Sequence, residues 1–221
     1  MHKYAFPFWT MIEEAEAFNR ANTTKEPAIK RGVRVVALAE LQETSDVACD
    51  TGSDVADLKR EFSEYLLASG TPVVDFSLVP EDWTKKVPVL DLLRGVIYGA
   101  DSRKPDRACA ARRWLRQRPE KEIVVICHGG FLHYFTQDWS GIKAEEHASA
   151  WENCDFRTYQ FVDSPDNEAT MLETDESRHA RGAADQKVPT KEEQQKLYLQ
   201  AMQTWEDRGF QNPLKLNEQF S

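Results

Sequence analysis

No run of apolar residues in this chain approaches the roughly 20 that a bilayer-crossing helix requires, which argues against a membrane span. The start of the chain also lacks the basic-then-apolar pattern of a secretory leader, so a cytoplasmic protein is expected. Basic residues are in deficit. With 28 Lys and Arg against 37 Asp and Glu the formal net charge is −9, the wrong sign for gripping a phosphate backbone, and no nucleic-acid partner is expected. A local pocket can still be positive, so small phosphate-bearing molecules stay in play. The four cysteines, Cys49, Cys109, Cys127 and Cys154, form no Cys-x-x-Cys pair, which points away from a zinc site and from a disulfide framework. No metal or cofactor is expected, and the chain contains neither internal repeats nor low-complexity tracts.

What the chain does have is enough apolar content to fold. At 221 residues and 41% hydrophobic it suits one α/β domain over residues 1–221 with a core of its own. The most informative segment is Glu122-Ile123-Val124-Val125-Ile126-Cys127 running into His128-Gly129-Gly130. An uninterrupted β-branched run reads as a strand covered on both faces, as in a parallel sheet. His128 would then stand at a strand's carboxyl end, where ligands bind in open α/β sheets. Gly129 and Gly130 would allow a sharp turn and close backbone approach to an anion at the next helix. The alternative is a histidine that merely caps a strand-to-helix turn.

Around this segment the periodicities predict a series of short elements. Residues 1–22 place Phe6, Phe8, Trp9, Met11, Ile12, Ala15 and Phe18 at helical spacing, suggesting a docking helix. Residues 33–38 read as a short buried strand that delivers Glu40 and Glu43 to its carboxyl end. Thr51 or Ser53 is expected to cap a helix carrying Val55, Leu58, Phe62, Tyr65 and Leu66 on one side and ending near Gly70 and Pro72. Residues 72–88 read as a long loop over the site, and Leu90, Leu93, Val96 and Ile97 as a short helix. Pro105 opens another helix, with Ala108, Ala111, Trp114 and Leu115 facing inward and Arg112, Arg113, Arg116 and Arg118 turned outward. Phe131, Leu132 and Phe135 start a helix after His128, residues 157–162 form a final strand, and residues 163–188 are loop. Thr190-Lys191-Glu192-Glu193 is a capping box opening a helix with Leu197, Ala201 and Trp205 on one face, stopped by Gly209.

Several of these segments, in this order, resemble a known family. They are Arg31-Gly32-Val33-Arg34-Val35-Val36-Ala37-Leu38, Glu40-Leu41-Gln42-Glu43, Cys49-Asp50-Thr51-Gly52-Ser53-Asp54 and Val74-Asp75-Phe76-Ser77 with Trp83. Ala111-Arg112-Arg113-Trp114-Leu115, the His128 to His133 segment, the Trp151 to Tyr159 segment, and Glu173-Thr174-Asp175-Glu176-Ser177-Arg178 complete the set. From about residue 25 to 182 the chain resembles the fungal phosphoglycerate mutase-like branch of the histidine phosphatase superfamily. The resemblance implies an α/β three-layer sandwich around a mainly parallel central sheet, here N-terminally truncated or altered. The alteration is chemical. The sequence contains no Arg-His-Gly, the family's nucleophile motif, and no Ser-Pro-Leu-Arg-Arg, which supplies a further phosphate-binding arginine. Arg20, four residues before Thr24, is the one remnant candidate for that region.

By resemblance, His128 is the histidine that steadies a transferring phosphoryl group, and Glu43 the acid that protonates the leaving oxygen. Without the attacking histidine no phosphohistidine forms, and without two of the usual arginines the phosphoryl oxygens lose charge stabilisation. Glu43 and His128 remain a proton-transfer pair suited to dehydration, isomerisation or cyclisation of a small organic substrate. Glu40 is the alternative carboxylate, and Trp151 and Arg157 are candidate pocket walls beside Gly129 and Gly130. His133 is five residues after His128 and off its face, so a helical metal pair is not expected and packing is its assigned role. Three readings follow: an acid-base enzyme on a mutase scaffold, a non-catalytic binder of a ligand or protein, and a phosphomonoester phosphatase or mutase with a rearranged site, or an incomplete one if the chain is an incomplete gene product. Loss of the nucleophile strand would also bare the edge beside residues 122–127, which the apolar N-terminal segment could cover in cis or a second copy could cover across a dimer interface, and a homodimer is the expected cover.

Overall fold

A computed structural model describes residues 34–43, 50–67, 69–84, 107–143, 149–163 and 168–207. The expectations for residues 1–22, Arg20, residues 90–97 and Gly209 fall outside them. Helices and strands are mixed, as an α/β chain requires, and the chain divides into two compact units, Met1–Lys86 and Val87–Ser221.

In the first unit the β-branched pair β1 (Val35–Val36) lies parallel to β2 (Val74–Asp75), with Val35 opposite Val74. The Val35 and Ala37 amides each donate across the pair at 2.9 Å, to the Val73 and Asp75 carbonyls. Strand β2 sits inside the stretch expected to be loop. Val73 and Val74, both β-branched and buried, overrode the prolines around them because they pack on Phe62 with Val35, Leu58 and Tyr65. Between the strands runs α1 (Val55–Glu61), whose Val55 is buried. Its N-cap residue is Asp54, not Thr51 or Ser53, and it stops before Leu66, which is 49% exposed. The chain instead turns through Gly70 at φ +79°, which allows Leu66 to bridge Pro72.

The second unit is built on three packed helices. Helix α2 (Arg107–Arg116) and α3 (Gly129–Thr136) bury Ala108, Ala111 and Leu115 and Phe131, Tyr134 and Phe135 respectively, and α5 (Lys191–Asp207) contributes Tyr198, Ala201 and Met202. Trp139 joins them, its ring edge-on to Tyr134 at 4.9 Å and to Tyr198 at 4.7 Å. The expected capping box is present: Thr190 Oγ1 accepts from the Glu193 amide at 3.3 Å while Glu193 Oε2 accepts from the Thr190 amide at 2.8 Å. Strand β3 (Tyr159–Phe161) pairs antiparallel with β4 (Met171–Glu173), followed by α4 (Asp175–Ala180) capped by Thr174. So residues 157–162 are not the last strand, and residues 163–188 are not all loop.

Two further expectations fail here. Residues 122–127 belong to no strand, and Val124 is 74% exposed. Ile123, Val124, Val125 and Ile126 make no backbone hydrogen bond among the described residues. A β-branched run prefers extended backbone, but a strand exists only against a neighbour. Cys127, at the end of this segment, is half-buried and belongs to no strand. Arg112, expected outward, is wholly buried. Its Nε donates to the Glu168 carbonyl at 3.1 Å and its Nη1 to the Tyr134 and Phe135 carbonyls at 3.2 Å each. A single planar guanidinium thereby tethers the C-terminal end of α3 to the entry of β4.

Candidate functional site

His128 precedes α3 in extended conformation, φ −108° and ψ 145°, half-buried, and its carbonyl accepts from the Leu132 amide at 2.9 Å to open the helix. At Gly129 a side chain would crowd Ser149, which would have to shift by a few tenths of an ångström to admit it. A Cβ there would stand 3.1 Å from Ser149 Oγ and 3.9 Å from Trp151 Cβ, so it is Ser149 that approaches the backbone closely. Gly130 continues the first turn of α3.

The wall beside this turn is hydrogen-bonded through His133. Its Nδ1 lies 2.7 Å from the Asp138 carbonyl, and its Nε2 lies 3.2 Å from the Ala150 amide. A carbonyl only accepts and an amide N–H only donates, so the ring is neutral with its proton on Nδ1. Burial accordingly pushes its pKa below the usual value. Ser149 Oγ is 3.2 Å from the same Nε2, a spacing that resembles a nucleophile and its base, but its hydroxyl donates to the Gly129 carbonyl at 3.0 Å and accepts from the Trp151 amide. The group is a latch between α3 and residues 149–151. The packing role expected of His133 holds, with Trp139 stacked on its ring at 5.4 Å.

Trp151 and Arg157, the expected pocket walls, come together. The guanidinium lies 3.7 Å over the Trp151 ring and donates from Nη2 to the Ala150 carbonyl at 2.8 Å and to Asp155 at 2.9 Å. Tyr159, two residues on and thus on the same side, stacks near Trp151 with ring centroids 6.4 Å apart. Burial pushes the Tyr159 hydroxyl's pKa up to about 12. Beneath it Glu173 accepts from Arg181 at 2.8 and 2.7 Å and from Ser177 at 2.8 Å. Burial works to raise the Glu173 carboxyl, but these hydrogen bonds outweigh it and hold the pKa below the usual carboxylate value.

Glu40 and Glu43 belong to the other unit. Both are half-buried and lie on or just after the 3-10 turn Ala39–Leu41 beyond the carboxyl end of β1, as expected. One carboxylate oxygen of Glu40 is enclosed and has no hydrogen-bond partner, so Glu40 is not the solvated charge its position suggests. Nearby Gln42 donates to the Trp83 carbonyl at 3.3 Å, and the Trp83 indole N–H donates to Ser53. The structure thus gathers His128, Gly129, Gly130, Trp151 and Arg157 in one unit and Glu40 and Glu43 in the other. No group of three or more His, Cys, Asp or Glu poised for a metal occurs among the described residues, and no described helix is long and apolar enough to cross a membrane. Sequence reasoning missed Ser149 and Tyr159. Tyr159 is two residues beyond Arg157 in the stretch expected to be a strand, a signal that was available.

Over about half its length the chain is similar to plant proteins of Arabidopsis thaliana. It is 29% identical over 124 residues to phosphoglycerate mutase-like protein 2, covering 52% of this chain and 30% of that one. It is 28% identical over 121 residues to a phosphoglycerate mutase-like protein and 29% identical over 135 residues to phosphoglycerate mutase-like protein 1, covering 40% and 42% of those relatives. The chain therefore spans less than half the length of these curated relatives. No protein-family model matches it, and no solved structure matches it significantly. The similarities are thus to phosphoglycerate mutase-like proteins, over part of each chain.

Proposed function

We propose that the chain is a phosphoglycerate mutase-like protein of the fungal branch, a three-layer α/β sandwich around a mainly parallel sheet. It carries out acid-base rather than phosphoryl chemistry on a small organic substrate, as a dehydratase, isomerase or cyclase. The observation that carries the reading is His128, half-buried in extended backbone immediately before the glycines that open α3. That placement leaves an imidazole beside a helix start, where a substrate's negative charge is favoured. In this reading His128 exchanges a proton with the substrate and Glu43 is the second proton carrier. Gly129, Gly130, Trp151 and Arg157 are the proposed substrate-binding residues beside His128, and Glu40 and Arg20 are further candidates carried from the sequence. The acid-base reading is also supported by these 221 residues containing no Arg-His-Gly, since it needs no phosphohistidine.

The relatives' names favour a second reading, chemistry on a phosphate ester with a rearranged site. The two separate on activity. A panel of aryl phosphates and small hydroxy and keto acids is incubated with the purified protein and with His128→Ala and Glu43→Gln. Loss of dehydration or isomerisation in both variants supports the acid-base reading. Phosphate release that disappears in His128→Ala supports the second, and an activity untouched by either variant removes both.

A further inference from the structure

The polar cluster on Trp151, Arg157 and Tyr159 holds three groups without hydrogen-bond partners: Trp151 Nε1, Arg157 Nε and Tyr159 Oη, each closed off from solvent. The Arg157 side chain is only 6% exposed, and Asp155 and Ala150 engage it through Nη2, leaving the Nε edge open. An indole N–H and a guanidinium N–H only donate, and the Tyr159 hydroxyl keeps its proton because burial raises its pKa. Arg157 acts on that hydroxyl through its charge and through a side-chain hydrogen-bond interaction, but the contact falls short of full hydrogen-bond geometry, so Tyr159 Oη and Arg157 Nε each still lack a well-formed partner. The rings and guanidinium are stacked as one body, with Arg157 3.7 Å above Trp151 and Tyr159 6.4 Å from it.

Three enclosed groups able to donate need an acceptor, because buried polar groups in native proteins are almost always paired. A water oxygen has two lone pairs to offer. A carboxylate or phosphate offers two or more oxygens and suits an arginine edge. We propose that Trp151, Arg157 and Tyr159 form an enclosed site for an oxyanion, the carboxylate or phosphate group of a small ligand. The site stands 3.9 Å, through Trp151 Cβ, from where a side chain on Gly129 would begin. It is therefore next to the turn that follows His128, but its occupancy does not depend on any turnover there.

The test is nitrogen-edited NMR of the full chain titrated with acetate and, separately, with inorganic phosphate, against sodium chloride at equal ionic strength. Loss of one indole peak in Trp151→Phe assigns that resonance; this variant keeps an aromatic ring, Tyr159→Phe keeps its own, and each removes one donor. The expected result is a saturable shift of the Trp151 indole and Arg157 Nε protons with acetate or phosphate, weakened about tenfold by either variant. Saturation by acetate alone points to a carboxylate ligand and by phosphate alone to a phosphate ligand. The proposal is overturned if neither anion shifts these protons, if chloride shifts them equally, or if both variants bind as tightly as the parent. Because the readout is binding, it succeeds or fails independently of the activity panel above.

Discussion

Replacing Arg112 by Met should unfold the second unit far more easily than replacing any exposed arginine of the same helix. Arg112 is wholly buried and supplies donors to three backbone carbonyls, those of Glu168, Tyr134 and Phe135. Two of those belong to the last turn of α3, whose carbonyls have no partner within the helix, and a cation there also meets the negative end of the helix dipole. A buried group left short of a hydrogen bond costs about 1–3 kcal/mol, and removing one partner of a buried charged contact costs roughly 3–5 kcal/mol. Met retains most of the volume, so the cavity contribution is small and a loss of about 4 kcal/mol is expected. With a urea slope near 2 kcal/mol per molar, the midpoint should fall by about 2 M. Arg116 is the control: its 3.0 Å ion pair with Asp163 lies at the surface, and Arg116→Met should cost no more than about 1 kcal/mol. The assay is urea unfolding followed by near-ultraviolet circular dichroism. Equal, small shifts for both variants would refute the reasoning, because they would mean that Arg112 is solvated.

Further outcomes can be measured with the same protein. The folded chain holds His133 neutral because burial lowers its pKa, so the unfolded chain binds the extra proton: stability is full above about pH 6.5 and falls as the pH drops through that value. His133→Gln should flatten that slope in urea midpoints taken from pH 5 to 8, and an unchanged slope refutes the latch. Thr190→Ala removes one arm of the capping box and should cost about 1 kcal/mol, with Thr190→Ser restoring most of it. Light scattering should give twice the 25.4 kDa chain mass if the apolar segment 122–126 is covered by a second copy, and a single chain mass at micromolar concentration removes that idea.

Local signals in the sequence were read well where the interaction lay within a few residues. The Thr190 to Glu193 reciprocity needs only one helical turn, and the opening of α3 needs only glycines before an apolar stripe. Arg112 shows where charge misled. Ala108, Arg112 and Leu115 fall on one helical stripe by spacing, and all three are buried, so the period carried the answer that the residue type obscured. Strand β4 was missed because Met171-Leu172-Glu173 is short and flanked by charge, although Thr174 with Asp175 and Glu176 after it is a helix start that could have closed the preceding element. The reading of residues 122–127 failed for a different reason. Side-chain type reports a preference for extended backbone, whereas strand pairing is a property of two segments, and one sequence window contains only one of them.

That failure changes how His128 is held. A histidine at the end of a paired strand would be fixed by the ladder behind it, but Ile123 to Ile126 supply no such support among the described residues. The restraint comes from the far side. Arg112 fixes the C-terminal end of α3, His133 ties that helix's last turns to Asp138 and Ala150, and Ser149 returns to the Gly129 carbonyl one residue past His128. Every step in that chain is a side chain bonded to backbone, so the turn that carries His128 is anchored on this side by polar contacts. Such contacts are individually worth about 1 kcal/mol and two of them pass through one titrating ring. It follows that loss of the His133 latch should loosen His128 before it unfolds the helices, visible as faster amide exchange at Gly129 and Gly130 in His133→Gln with the α2 amides unchanged. Uniform acceleration across α2 and α3 would show instead that the helices and the turn open as a single unit.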